Sequence, residues 1–359
     1  MKERNSRVEL LRIISILMII MSHYSIHSGI ITSNLPLGFN RLLLESISLG
    51  SIGVIIFVLI NGYYSIKKEN PFSLKKLLNL YLQIWFYSFS IYIVFIILGF
   101  EKFNVKMLIM NILPFSFKTY WFASVFILLY IFSPFINKFI NSMNKKEHAR
   151  FIVLSLLIFS VLKTLTFQEM YCNELIQFIL FYCIGSYIGK YEKEIKINKN
   201  QTILILISTL MLAFLSIFIL DVIGMNYKLF SEHSRYFLSR TSFLSIIIAV
   251  SIFYLFLKKN PFFNKYINKI STCVFAIYLI SDNSYVRSIL WTDILNVQSY
   301  SSSFFILFHL LFSIIIIFFV CIMIEFFRQL FFNKLNNYLI ELLYKLINVF
   351  KKKKIYIEE

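Results

Sequence analysis

Charge is scarce in this 359-residue sequence: Asp, Glu, Lys and Arg together make up 15% of it. Soluble domains carry about 25%, so the chain has too little polar surface to coat a water-soluble fold of its length. Glycine and proline are also few, at 9 and 5. Cysteine is limited to Cys172, Cys183, Cys273 and Cys321, scattered through or beside apolar stretches. Their spacing fits neither a zinc site nor a disulfide framework and leaves them as small core residues. A phosphate-binding loop of the G-x-x-x-x-G-K-[ST] kind is missing, which counts against an ATP-driven pump. The first apolar segment is followed by no small-residue cleavage site, so it is not expected to be a cleaved signal peptide.

What the chain has instead is hydrophobic sequence, 58% of residues, recurring from Val8 to Phe332. A helix needs about 20 apolar residues to cross the roughly 30 Å hydrocarbon core. Candidate spans fall at about 8–28, 44–66, 77–99, 120–140, 151–168, 175–191, 202–223, 237–257, 270–290 and 304–328. The expected fold is an all-α integral membrane protein, a bundle of about ten transmembrane helices.

The net charge of +18 would suggest nucleic acid in a soluble protein. Here the cations crowd alternate loops. One set begins with Lys2, Arg4 and Arg7 and continues with Lys67, Lys68, Lys75 and Lys76, then Lys138, Lys145, Lys146 and Arg150. By the positive-inside rule this set is cytoplasmic, which places both termini inside. Nucleic acid is not an expected partner; membrane lipid is.

No linker separates two globular domains, and 1–330 reads as one membrane domain. The segment Val105–Pro114 has the length of a partly embedded or re-entrant piece. After Arg328 the pattern changes: Leu335, Leu339, Leu342, Leu343, Leu346 and Ile347 recur at helical spacing, followed by Lys351–Lys354. Residues 331–359 therefore form a basic amphipathic cytoplasmic tail, either a helix lying on anionic lipid or a frayed end.

Ionisable groups inside a span are costly, so each is a functional candidate. The first span carries Glu9, Arg12 and His23. Arg12 and His23 are eleven residues apart, three helical turns and about 20° more, so they share a face roughly 16 Å apart along the axis. Glu9 precedes Arg12 by three residues and can pair with it. Taken singly, Arg12 and Glu9 could anchor the helix at the interface, and His23 could make a packing hydrogen bond. Together on one stripe they point to a site. His27 completes an H-x-x-x-H pair, but no carboxylate follows it nearby in sequence, and no metal is expected. Asp282 and Arg287 are spaced to pair with each other or to contact a sugar. His309 and Glu325 in the last span read as packing or helix-end residues.

At this first span the chain begins to resemble the membrane acyltransferase 3 family. The Arg7–Arg12 opening, followed by ten residues and His23, is similar to that family's first span. GVIIFVLINGYYS (Gly53–Ser65) resembles its second span, YWFASVFILLYIFSPFIN (Tyr120–Asn137) its Tyr-Trp-Phe start and Ser-Pro-Phe end, and STCVFAIYLISDNSYVRSILW (Ser271–Trp291) its late Tyr-Leu-Ile segment. Two positions depart: Asn61 stands where the family has Ser, and Ser281 where many members have His.

The resemblance implies an O-acyltransferase of the bacterial plasma membrane. Its donor would be cytoplasmic acyl-CoA, most often acetyl-CoA, and its acceptor a hydroxyl of a surface polysaccharide such as capsule. Under that reading His23 is the catalytic base, Arg12 and Glu9 bind acyl-CoA, and Asn61, Tyr63, Tyr120, Trp121 and Asp282 line the pocket. No bound cofactor is expected. The rival reading is a transporter or flippase for a glycan-related substrate, whose polar residues would line a path. No inverted repeat and no second copy of the Arg-to-His spacing supports it.

Overall fold

The computed structural model describes residues 5–166 and 172–355. Lys2, Arg4, the end of the fifth expected span and residues 356–359 lie outside the described residues. Among the described residues sixteen α-helices follow one another: α1 Ser6–Ile26, α2 Phe39–Ser46, α3 Gly50–Ser65, α4 Leu74–Ile97, α5 Val105–Ile112, α6 Trp121–Ser142, α7 Lys145–Leu156 and α8 Lys163–Thr166. Then come α9 Glu174–Tyr191, α10 Lys199–Gly224, α11 Lys228–Glu232, α12 Phe243–Lys258, α13 Lys265–Ser271, α14 Val274–Ser281, α15 Ser284–Ile289 and α16 Ile306–Ile355.

Eight helical runs among the described residues are long and apolar enough to cross a membrane: α1, α2–α3, α4, α6, α7–α8, α10, α11–α12 and α16. Ten were expected. The sixth expected span is present as α9, an 18-residue helix enclosed by its neighbours. The ninth is broken into α13, α14 and α15, so no single helix there is long enough. Val105–Pro114, read as partly embedded, contains the eight-residue helix α5, held to α4 by Ser88, which donates to Asn111 at 2.9 Å. The tail is continuous with the last span: α16 runs 50 residues without a break, about 75 Å against a core of roughly 30 Å. In its second half Ile340 is buried and Leu335 and Leu342 are exposed.

Glycine sets the centre of the bundle. A Cβ on Gly53 of α3 would strike the carbonyl of Ser15 in α1, and one on Gly50 would strike Ser22. The pairing order shows that α1 and α3 run antiparallel. A Cβ on Gly185 of α9 would meet the carbonyl of Leu59 in α3, and one on Gly189 the carbonyl of Tyr63. Here both numbers rise together, so α9 lies parallel to α3. Such backbone approach between apolar helices gains dispersion contact where there is no water to expel.

α6 contains Pro134, which has no N–H for the carbonyl of Tyr130. The Ser133 hydroxyl donates to that carbonyl instead, at 2.7 Å. One turn later Asn137 donates to the Ser65 carbonyl at 3.1 Å and accepts from the Tyr182 hydroxyl at 2.7 Å, tying α3, α6 and α9 together. Arg41 pairs with Asp221, both buried, fixing α2 to α10.

Candidate active site

α1, α3, α4, α6, α14 and α16 enclose a cavity of about 790 Å³. Its lining runs along α1 from Arg12 to His27, about 22 Å of helix. Arg12, Lys68, Lys76 and Arg328 lie at one end. Ile16, Ile19, Val54, Phe57 and Ile60 line the middle, and His23, His27, Trp121, Arg240 and Asp282 lie at the other end. A cationic end is thus joined to an imidazole end by an apolar passage.

At the cationic end the Arg12 Nη1 lies 3.1 Å from a Glu9 carboxylate oxygen. Glu9 is buried beneath it and does not line the cavity, so it holds the guanidinium rather than facing the cavity. Burial, then the Lys76 and Arg12 cations, push the Lys68 ammonium below its ordinary value. Each neighbouring cation raises the cost of the next, and a polyanion would relieve it.

At the other end lies the broken ninth segment. α14 stops at Ser281, and Asn283 begins α15 by accepting from the Tyr285 amide at 3.0 Å. The same Asn283 donates to the Tyr120 hydroxyl at 2.7 Å. Irregular backbone at membrane depth is tolerated where it lines a cavity, and this break turns Asp282 towards α1. Its Oδ1 lies 3.7 Å from Nε2 of His23 and 3.7 Å from Nε2 of His27. Arg287 donates to the same oxygen at 3.2 Å. The His23 and His27 rings stand 4.9 Å apart, and Nδ1 of His23 has no hydrogen-bond partner.

Three ligand atoms of His23, His27 and Asp282 lie within 4.8 Å of one another. The carboxylate that the H-x-x-x-H pair lacked in sequence is therefore supplied by a residue some 255 positions away. Arg287, however, already sits on the Asp282 oxygen that faces both imidazoles. The donor set is a carboxylate neutralised by a guanidinium, and a divalent ion there would meet that cation at close range.

Of the residues expected in the pocket, Asn61, Trp121 and Asp282 line the cavity. Tyr63 and Tyr120 do not. Tyr63 donates to Glu192 at 2.6 Å on the far side of α3, and its neighbour Tyr64 lines the cavity instead. Tyr120 is buried and accepts a hydrogen bond from Asn283, next to Asp282. His309 accepts or donates with Tyr24 at 2.8 Å and stacks on Tyr300 at 3.9 Å, a packing role. Sequence reasoning passed over Lys68, Lys76, Arg240 and Arg328 as site residues. Arg240 lies 4.4 Å over the Trp121 ring, with its Nε donating to Gln177 at 2.7 Å.

A family model described as an acyltransferase domain, Acyl_transf_3, matches residues 5–328. No curated protein and no solved structure matches the chain.

Proposed function

The chain belongs to the acyltransferase 3 family and is a multi-pass membrane acyltransferase, and we propose that it moves an acyl group from cytoplasmic acyl-CoA, acetyl-CoA above all, to a hydroxyl of a surface glycan. The observation that carries this reading is the single cavity joining Arg12 and two lysines to the His23–Asp282 pair.

The cationic end suits the donor's phosphates, with Arg12 able to present a fork of N–H groups and the lysines adding point charges. The pantetheine arm is thin and largely apolar, which suits the passage between Ile16, Ile19, Phe57 and Ile60. A thioester at its end would then come to His23. The acceptor hydroxyl attacks the thioester carbonyl carbon while His23 takes its proton. The carbon–sulfur bond breaks as the tetrahedral centre collapses, and the CoA thiolate leaves with the proton from the imidazolium. Asp282, opposite one imidazole nitrogen, stabilises that imidazolium and orients the ring, leaving the other nitrogen's lone pair free. Trp121 and Arg240 form an aromatic and cationic wall suited to a sugar ring.

In this reading the cation-rich loops lie inside the cell, so the donor end faces the cytoplasm and the His23 end faces out. α9, lying parallel to α3, and the broken α13–α15 segment are the two further crossings that bring the count to ten. The membrane is a bacterial plasma membrane, and the acceptor belongs to a capsule or similar polysaccharide.

Proteoliposomes test this directly. With the Arg12 end outward, radiolabelled acetyl-CoA is added outside and a soluble glycan is enclosed. Label on the enclosed glycan is the expected outcome. Label taken up as intact CoA, with none on glycan, would support a transporter instead.

A further inference from the structure

Arg328 lies on α16 where that helix passes the cationic end of the cavity, and it is only 8% exposed. Its Nε and Nη2 each donate to Glu325 at 2.7 Å. Glu325, 1% exposed, also accepts from the Tyr87 hydroxyl at 2.5 Å, from Gln83 at 3.2 Å and from Gln329 at 2.9 Å. Three residues besides Arg328 therefore hold the carboxylate, and the carboxylate holds one edge of the guanidinium in place. The remaining nitrogen, Nη1, is buried and has no hydrogen-bond partner.

A buried charged donor without an acceptor is costly, and native structures rarely carry one without cause. A helix-anchoring arginine would point to the interface and use all its donors there. Arg328 is instead clamped on one side and left open on the other, beside a cavity it helps to line. Asn79, Asn333 and Asn336 line that cavity too. The fork of a guanidinium fits phosphate oxygens, and low local dielectric strengthens the contact.

We propose that Arg328 is a preset phosphate-binding arm for the nucleotide end of the donor, fixed in position by Glu325. This rests on the acyl-CoA reading above and adds a second anchor, on the last helix, to Arg12 on the first. The donor then ties α1 to α16, and Asn333 and Asn336 bring the start of the tail into the donor site. Glu325 is a positioning residue that touches Arg328 and not the ligand.

The test is calorimetric titration of CoA, and of pantetheine as the probe without phosphates, into the full chain in phosphatidylcholine nanodiscs. The single change Arg328→Gln would leave Glu325 buried and uncompensated, so the double variant Glu325→Gln/Arg328→Gln keeps the amide hydrogen bonds with no buried charge. Thermal unfolding of each variant checks the fold. Loss of one charged hydrogen bond should weaken CoA binding about tenfold or more in the double variant, while its affinity for pantetheine matches that of the wild type. Glu325→Gln alone, with the charge kept and the clamp weakened, should fall between. A folded double variant with wild-type CoA affinity would overturn the assignment of Arg328 and leave the donor reading standing. Wild-type protein that binds no CoA would overturn the donor reading and this inference with it. An affinity difference that emerges only in discs containing phosphatidylglycerol would place a lipid headgroup phosphate on Arg328, and would also overturn the donor assignment.

Discussion

Asp282 Oδ1 stands 3.7 Å from Nε2 of His23, across the point where the ninth apolar segment breaks between α14 and α15. The separation is that of an ion pair rather than of a formed hydrogen bond, and catalytic contacts commonly tighten only once substrate is bound. Asp282→Asn keeps the shape and removes the charge that stabilises the imidazolium. Acyl transfer should fall about tenfold or more, with KM for the donor little changed. Steady-state rates against donor concentration check this. A rise in KM alone would make Asp282 a binding residue.

Arg287 occupies the face of Asp282 that a metal ion would need. Chelators should therefore leave the rate unchanged in wild-type protein. Inductively coupled plasma analysis of purified protein, with rates before and after chelation, checks both halves. Loss of activity on chelation and its recovery with one divalent ion would make His23, His27 and Asp282 a metal centre.

Arg12 is partly exposed at the cationic end and is held by Glu9. Arg12→Ala should weaken CoA binding more than Arg12→Lys does, because lysine keeps the charge and loses the fork. A charged hydrogen bond of this kind is worth about 1.5–3 kcal/mol. Equal CoA affinity in wild type and folded Arg12→Ala would reduce the residue to an anchor.

If the cation-rich loops lie inside the cell, both termini and the α6–α7 turn are cytoplasmic. Lys145→Cys should label with a membrane-impermeant maleimide only after the cells are opened, and a C-terminal phosphatase fusion should stay inactive. Labelling in intact cells would reverse the orientation.

Gly185 meets the backbone of Leu59 across the α3–α9 contact. Gly185→Leu must push the helices apart and should destabilise the protein by about 1–3 kcal/mol, read as a lower unfolding temperature in detergent. Gly38→Ala, which meets almost nothing, is the matched control. Equal unfolding temperatures would mean that α3 and α9 are not in register as described.

Legibility in the sequence followed distance along the chain. Arg12 and His23 share one helix, so spacing alone put them on one face, and the structure lines one cavity with both. Asp282 could be named as a pocket residue, but its meeting with His23 depends on how α14 packs against α1, which no local pattern encodes. Tyr63 and Tyr64 are adjacent and differ by about 100° around the helix, so Tyr63, expected in the pocket, faces Glu192 while Tyr64 lines the cavity. In the sequence Lys68 and Lys76 read as orientation charges, and Arg328 only marks where the tail pattern begins. Their place in the cavity lining, and for Arg328 an unpartnered nitrogen, separate them from the other cations. The break in the ninth segment has a visible signal in hindsight, the polar run Ser281, Asp282, Asn283 and Ser284, since asparagine readily begins a helix.

If His23 takes the proton of the acceptor hydroxyl, the rate of acyl transfer by His23→Gln in proteoliposomes, beside wild type and His27→Gln, shows it. A general base contributes about a hundred- to ten-thousand-fold. His23→Gln protein, inserted and folded as wild type and still binding CoA, should therefore show no transfer above background, while His27→Gln retains measurable turnover. Wild-type rates of transfer by folded His23→Gln protein would rule out His23 as the base.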